Sequence, residues 1–134
     1  EHLVGRRLAD ISYRVCASAG YLNAVDPEDL ASLTWIAPDD FLPDHPTVAW
    51  RRQHLPGVTP AYRCNSMLSV TELVRAGLGV AALPDFLIGD TLQPLTGPLH
   101  GYDTALWLLT RPDCRALRSV VTLFDELGQA LRLP

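Results

Sequence analysis

The sequence predicts an α/β fold built on a largely parallel, helix-covered sheet, and three observations point there. Short apolar segments of strand length alternate with segments of helical periodicity along the chain. The run Val80-Ala81-Ala82-Leu83 is apolar at every position, as in a strand covered on both faces. Glycine and proline stand where elements should stop and start, with Gly77 closing one helical stripe and Pro84 opening the next helix.

Taken in order, residues 13–17 read as a strand, 27–31 as a short helix and 34–37 (Thr34-Trp35-Ile36-Ala37) as a second strand. The next segment carries Pro38, Pro43 and Pro46 together with Asp39, Asp40 and Asp44, which predicts a structured loop. A helix over 45–54 and a strand over 60–64 follow. Residues 66–76 are the best-specified helix. Asn65 or Ser66 can cap it, Ser69 and Glu72 give a capping-box pattern one turn later, and Met67, Val70, Leu73, Val74 and Gly77 form one stripe. A strand over 79–83, a helix over 84–89, a strand over 104–109 and a helix over 115–132 complete the chain. In the last helix Val120, Val121, Phe124, Leu127 and Leu131 recur at spacings of three and four, so one face requires a partner, either its own sheet or a second copy.

The chemistry offered by this pattern is binding. In helix-covered sheets the ligand crevice lies beyond the carboxyl ends of the strands. The polar turn at Cys64-Asn65-Ser66-Met67 opens a helix whose free N–H groups and positive dipole end suit a small anionic or polar ligand. The plainer reading makes the turn a helix cap and nothing more. Asp39 and Asp40 read as solvated loop acids or caps, His45 as a turn residue, and Arg51 and Arg52 as a solvated helix face. Trp35, Trp50 and Trp107 read as packing residues. No G-x-S-x-G elbow, P-loop or dinucleotide fingerprint occurs, and Gly77-Leu78-Gly79 precedes a strand where a dinucleotide loop would follow one. An enzyme is therefore not expected, and neither a cofactor nor a metal site is expected. His54 and His100 have no partner at ligand spacing.

Composition narrows the class. With 134 residues, 48% hydrophobic and 19% charged, the chain can bury a real core. A formal net charge of −4 does not suit a nucleic-acid-binding surface. No apolar stretch is long enough for a membrane span. The three cysteines, Cys16, Cys64 and Cys114, have no metal spacing and cannot all pair, which suggests a reducing cytoplasm. Cys64 beside the polar turn is a redox candidate only if a cation activates it, and Arg63 is the adjacent one.

The run Val74-Arg75-Ala76-Gly77-Leu78-Gly79-Val80-Ala81-Ala82-Leu83-Pro84 resembles a segment of the effector-binding domain of LysR-type transcriptional regulators. Leu3-Val4-Gly5-Arg6-Arg7-Leu8, followed by Tyr13-Arg14-Val15-Cys16-Ala17-Ser18-Ala19-Gly20-Tyr21-Leu22, resembles that family's hinge passage, although Ala19-Gly20 stands where a proline is often found. Trp107-Leu108-Leu109 and the final helix resemble its closing strand and C-terminal helix. The resemblance implies a periplasmic-binding-protein-like (type 2) lobe. Residues 1–22 would be the end of a first regulatory lobe and the hinge, 23–110 the second lobe, and 111–134 a return segment whose helix packs towards the first. It further implies a fragment lacking the DNA-binding domain and most of the first lobe.

By the same resemblance the loop bearing Asp40, Pro43 and His45, the turn Asn65, Ser66 and Met67, and Ser18 in the hinge passage would line an effector cleft. The partners implied are a small-molecule effector, DNA only through the absent N-terminal domain, and the copies of a homodimer or tetramer, with no membrane. The alternative is a solute-binding receptor lobe of a transport or chemosensory system. The three unpaired cysteines weigh against that alternative.

Overall fold

A computed structural model of the chain describes residues 3–39 and 41–130. Its residues fall into two compact units, one of Ser12–Asp103 and one of Glu1–Ile11 with Thr104–Pro134.

In the larger unit, strand β2 (Tyr13–Ser18) is central, with β5 (Ala81–Pro84) on one side and β6 (Leu92–Pro94) on the other, both antiparallel to it. Beside β5, Trp35 makes a parallel bridge to Val80, and β3 (Ile36–Ala37) pairs in parallel with β4 (Tyr62–Arg63). The α/β class thus stands, but the sheet is mixed where a largely parallel one was expected. Side-chain pattern reports which faces of a strand are buried, and it is silent on strand direction.

Helix α3 (Met67–Arg75) covers this sheet. Its stripe is the expected one: Val70 and Val74 are fully buried, in one cluster with Cys16, Ile36, Ala81, Leu83, Ile88 and Leu92, while Met67 and Leu73 pack at its margin. Burying each valine contributes about 1.5–3 kcal/mol. The stop is equally well specified. The Gly77 N–H bonds the Val74 carbonyl at 3.0 Å and the Leu78 N–H reaches the Leu73 carbonyl at 3.2 Å, the two bonds of a Schellman motif. That turn needs φ of +83° at Gly77, which costs glycine little. Gly79 is needed for a different reason, because a Cβ there would press into the Thr34 carbonyl oxygen. That close approach lets the Val80 N–H bond the Thr34 carbonyl at 2.8 Å.

Helix α2 (Pro46–His54) follows β3, and a four-residue helix α4 (Asp85–Ile88) follows β5. Pro84 caps α4 and is not its first residue. The helix expected at 27–31 is only a 3₁₀ turn, Leu30–Ser32. A one-turn helix α1 (Ala19–Leu22) and strand β6 were not expected.

The smaller unit pairs β1 (Val4–Ile11) antiparallel with β7 (Thr104–Thr110), and α5 (Arg118–Ala130) packs on β1. Arg6 donates to Asp125 at 3.2 Å across this contact. The final helix therefore lies on the strands of its own unit. The partner-seeking stripe is only partly covered there, since Val121 is 45% exposed, and Leu131 lies outside the described residues. Trp107, expected to pack, is 52% exposed. It lies in a two-stranded layer, too thin to bury large side chains on both faces.

Candidate functional site

Because β3 and β4 are parallel neighbours, the segments leaving them emerge at one end of the sheet. From β3 comes the loop that starts α2, and from β4 the turn that starts α3, so two nine-residue helices present their N-termini at that edge. Both are capped by side chains. Ser66, in extended conformation, accepts the Ser69 N–H at 3.1 Å through Oγ, and its own hydroxyl donates to Ser69 Oγ at 3.1 Å. The Met67 and Leu68 N–H groups have no carbonyl four residues back within the helix. Asn65 is exposed beside them.

At the α2 start, His45 is the cap. Its Nδ1 accepts the Thr47 N–H at 3.3 Å and lies 2.8 Å from Thr47 Oγ1, which places the ring proton on Nε2. The ring meets Tyr13 edge-on at 5.4 Å between centroids. Half-burial pushes the His45 pKa below its ordinary 6.5, since desolvation disfavours the imidazolium. Pro43, exposed in the same loop, accepts at its carbonyl from Arg52 Nη1 at 3.4 Å. Asp40 lies outside the described residues.

Asn65, Ser66, Met67, Pro43 and His45 thus share one sheet edge. Ser18 does not join them. Strand β2 runs against β5, so its C-terminal residue points to the opposite end, and Ser18 Oγ lies 3.5 Å from where a Cβ on Gly77 would stand. Ser66 and Gly77 flank opposite ends of α3, with about 13.5 Å of helix between them. Ser18 instead caps α1, accepting the Tyr21 N–H at 3.2 Å.

The surface reading of Asp39 and Arg51 needs correcting. Asp39 and Arg51, read as solvated, form a buried ion pair, with Nη1 to Oδ1 at 3.0 Å and Nη2 to Oδ2 at 2.7 Å. Each side chain is about 5% exposed. They are 12 residues apart, and no local pattern signals the pairing. Cys64 has its pKa raised by desolvation, the opposite of an activated thiolate. Cys16 is buried and pushed up to about 12, mainly by desolvation and then by the Asp85 carboxylate. Tyr13 and Thr47, the contacts of His45, escaped the sequence reading; Tyr13 looked like any strand aromatic.

Among the described residues no three His, Cys, Asp or Glu side chains come together to hold a metal ion. Among them, too, no helix is long and apolar enough to cross a membrane. Among its described residues the edge offers hydrogen-bond donors and dipole ends, and no nucleophile held by a base.

Solved structures share this fold. The regulatory domain of CrgA, a LysR-type transcriptional regulator from Neisseria meningitidis, superposes with a TM-score of 0.77 at 22% identity, over 97% of this chain and 69% of that one. The C-terminal domains of a LysR family protein from Agrobacterium tumefaciens str. C58 give 0.65 at 18% identity, over 98% and 69%. The effector domain of AmpR from Pseudomonas aeruginosa gives 0.65 at 15% identity, over 95% and 63%. None of the curated proteins compared with the chain matches it. The family described as "LysR substrate binding domain" matches residues 1–132. A periplasmic-binding-protein-like type 2 fold, with helix N-termini gathered at one sheet edge, is thus matched by a family assignment over nearly the whole chain, which belongs to the LysR substrate binding domain family, the effector-sensing part of LysR-type transcriptional regulators.

Proposed function

We propose that the edge formed by Asn65, Ser66, Met67, Pro43 and His45 binds a small anionic or polar effector, and that Ser18 takes no direct part. The observation that carries this is the delivery of two capped helix N-termini to one end of a parallel strand pair. Each contributes partial positive charge, and α3 adds the N–H groups of Met67 and Leu68. At α2, Pro46 carries no N–H, and the Thr47, Val48 and Ala49 N–H groups are bonded to His45. A dipole end with two free donors accepts a carboxylate without chemistry. Ser66 could exchange its bond to Ser69 Oγ for one to the ligand while keeping its cap.

In this reading the Ser12–Asp103 unit belongs to the second regulatory lobe and carries the effector edge. Binding acts by population shift, since an effector that prefers one lobe arrangement raises its population in a DNA-bound oligomer. DNA contact through a separate N-terminal domain, assembly as a dimer or tetramer, a cytoplasmic location and the lack of enzymatic activity belong to the same proposal. The free cysteines Cys16, Cys64 and Cys114 support the cytoplasmic part.

The test is thermal-shift titration with acetate, succinate and benzoate on the wild type and Ser66→Glu. A saturable stabilisation by at least one carboxylate, lost in a folded Ser66→Glu protein, supports the site. Unchanged stabilisation in that variant removes Ser66 from it.

A further inference from the structure

The Asp39–Arg51 pair stands at the base of the loop that reaches His45, and three facts bear on what it does there. First, it is nearly solvent-free and bidentate, so it fixes Asp39 relative to the middle of α2 in both distance and plane. Second, it is an expensive way to gain stability. Desolvating two charges offsets most of their attraction, and Arg51 Nε is buried with no hydrogen-bond partner among the described residues, beside a small cavity lined by Pro38 and Thr47. Third, among the loop's described residues the backbone bonds are local: the Phe41 and Leu42 N–H groups to the Pro38 carbonyl at 3.2 and 2.9 Å, and the His45 N–H to the Leu42 carbonyl at 3.0 Å. Phe41 is 64% exposed, so apolar burial does little to anchor the tip.

We propose that Arg51 is a positioning residue for the effector edge. Through Asp39 it anchors the start of the loop at residues 38–45 to α2, while Arg52 holds Pro43 further along, so that Pro43 and His45 are presented in one geometry. The loop leaves β3 and enters α2, and both of these contacts tie it to that one helix, so the buried pair converts a turn held by short-range bonds into a fixed brace. This rests on the effector reading for its purpose, although the bracing itself does not.

The experiment replaces both partners at once, Asp39→Leu with Arg51→Met, because removing one would leave a buried unpaired charge and could unfold the protein. Amide hydrogen exchange is then compared with the wild type. The expected result is a loss of protection of tenfold or more at Leu42 and His45, with Val70, Val74 and Leu83 amides within twofold. Loop protection within twofold of the wild type would overturn the proposal. So would a double variant that does not fold, since the pair would then serve overall stability. In a carboxylate titration the double variant should raise the apparent Kd at least tenfold, and an unchanged Kd also overturns the proposal. A wild-type protein that binds none of the carboxylates sinks the effector reading instead, and leaves the exchange comparison to decide this one.

Discussion

Replacing Leu83 by alanine tests whether the core of the larger unit is the one described. Leu83 is fully buried in β5, in one cluster with Cys16, Ile36, Val70, Val74, Ala81, Ile88 and Leu92. The change deletes three carbons, worth about 2.4 kcal/mol at roughly 0.8 kcal/mol for each methylene. A cavity cost adds to this, because β5 is packed by α3 and α4 and bonded to β2, so the site has little freedom to collapse. The expected loss is about 3–4 kcal/mol. With a urea m-value of about 1.5 kcal/mol/M, the midpoint for the Ser12–Asp103 unit should fall by roughly 2 M. Leu68→Ala, at a position 64% exposed, is the control and should stay within about 0.5 kcal/mol of the wild type. Urea unfolding followed by tryptophan fluorescence reads both, since Trp35 and Trp50 lie in this unit. A Leu83→Ala midpoint as close to the wild type as that of Leu68→Ala would refute this packing.

Further outcomes follow from the same structure. Gly77→Ala should destabilise by about 1 kcal/mol in urea unfolding, because φ is +83° while the new Cβ meets only Ser18 Oγ at an ordinary 3.5 Å; no loss would mean that the helix ends differently. Cys16, with its pKa near 12, should resist a thiol reagent at pH 8 until urea unfolds the protein, and native-rate labelling of Cys16 by mass spectrometry would contradict its burial. Below pH 6.5 the unfolded state takes up a proton at His45 before the folded state does, so stability is full above 6.5 and falls as pH drops through the lowered folded pKa. His45→Asn keeps a capping side chain, and it should flatten that part of the stability–pH curve; an unchanged slope would assign it to other groups.

What could be read in the sequence was local. Ser66, the Val70 and Val74 stripe, Gly77 and the run ending at Leu83 each obey rules that act within one helical turn or one strand. The structure places them with shifts of a residue or two. Longer-range features were hidden. Strand direction was one, since β2 reads as a buried strand whichever way its neighbours run. Strand β1 was another: its register shifts between Arg7 and Ala9, which breaks the two-residue alternation that reveals a strand. The Asp39–Arg51 pair is the clearest case. Each residue alone has the pattern of a surface charge, and only the fold of the 38–45 loop onto α2 takes both out of water. The candidate site divided in the same way. The capped turn at Ser66 was recognisable from its chemistry, whereas the separation of Ser18 from it depends on the antiparallel course of β2.

The central claim, that the Ser66–His45 edge receives a small anionic effector, is tested most directly by recording amide chemical shifts of ¹⁵N-labelled protein through titrations with acetate, succinate and benzoate. The account predicts saturable shifts with at least one of them, concentrated at Asn65, Ser66, Met67 and Leu68 and at His45 and Thr47, with Ser18 and Tyr21 unmoved. Saturable shifts confined to other parts of the chain, or none with any of the three, would contradict it.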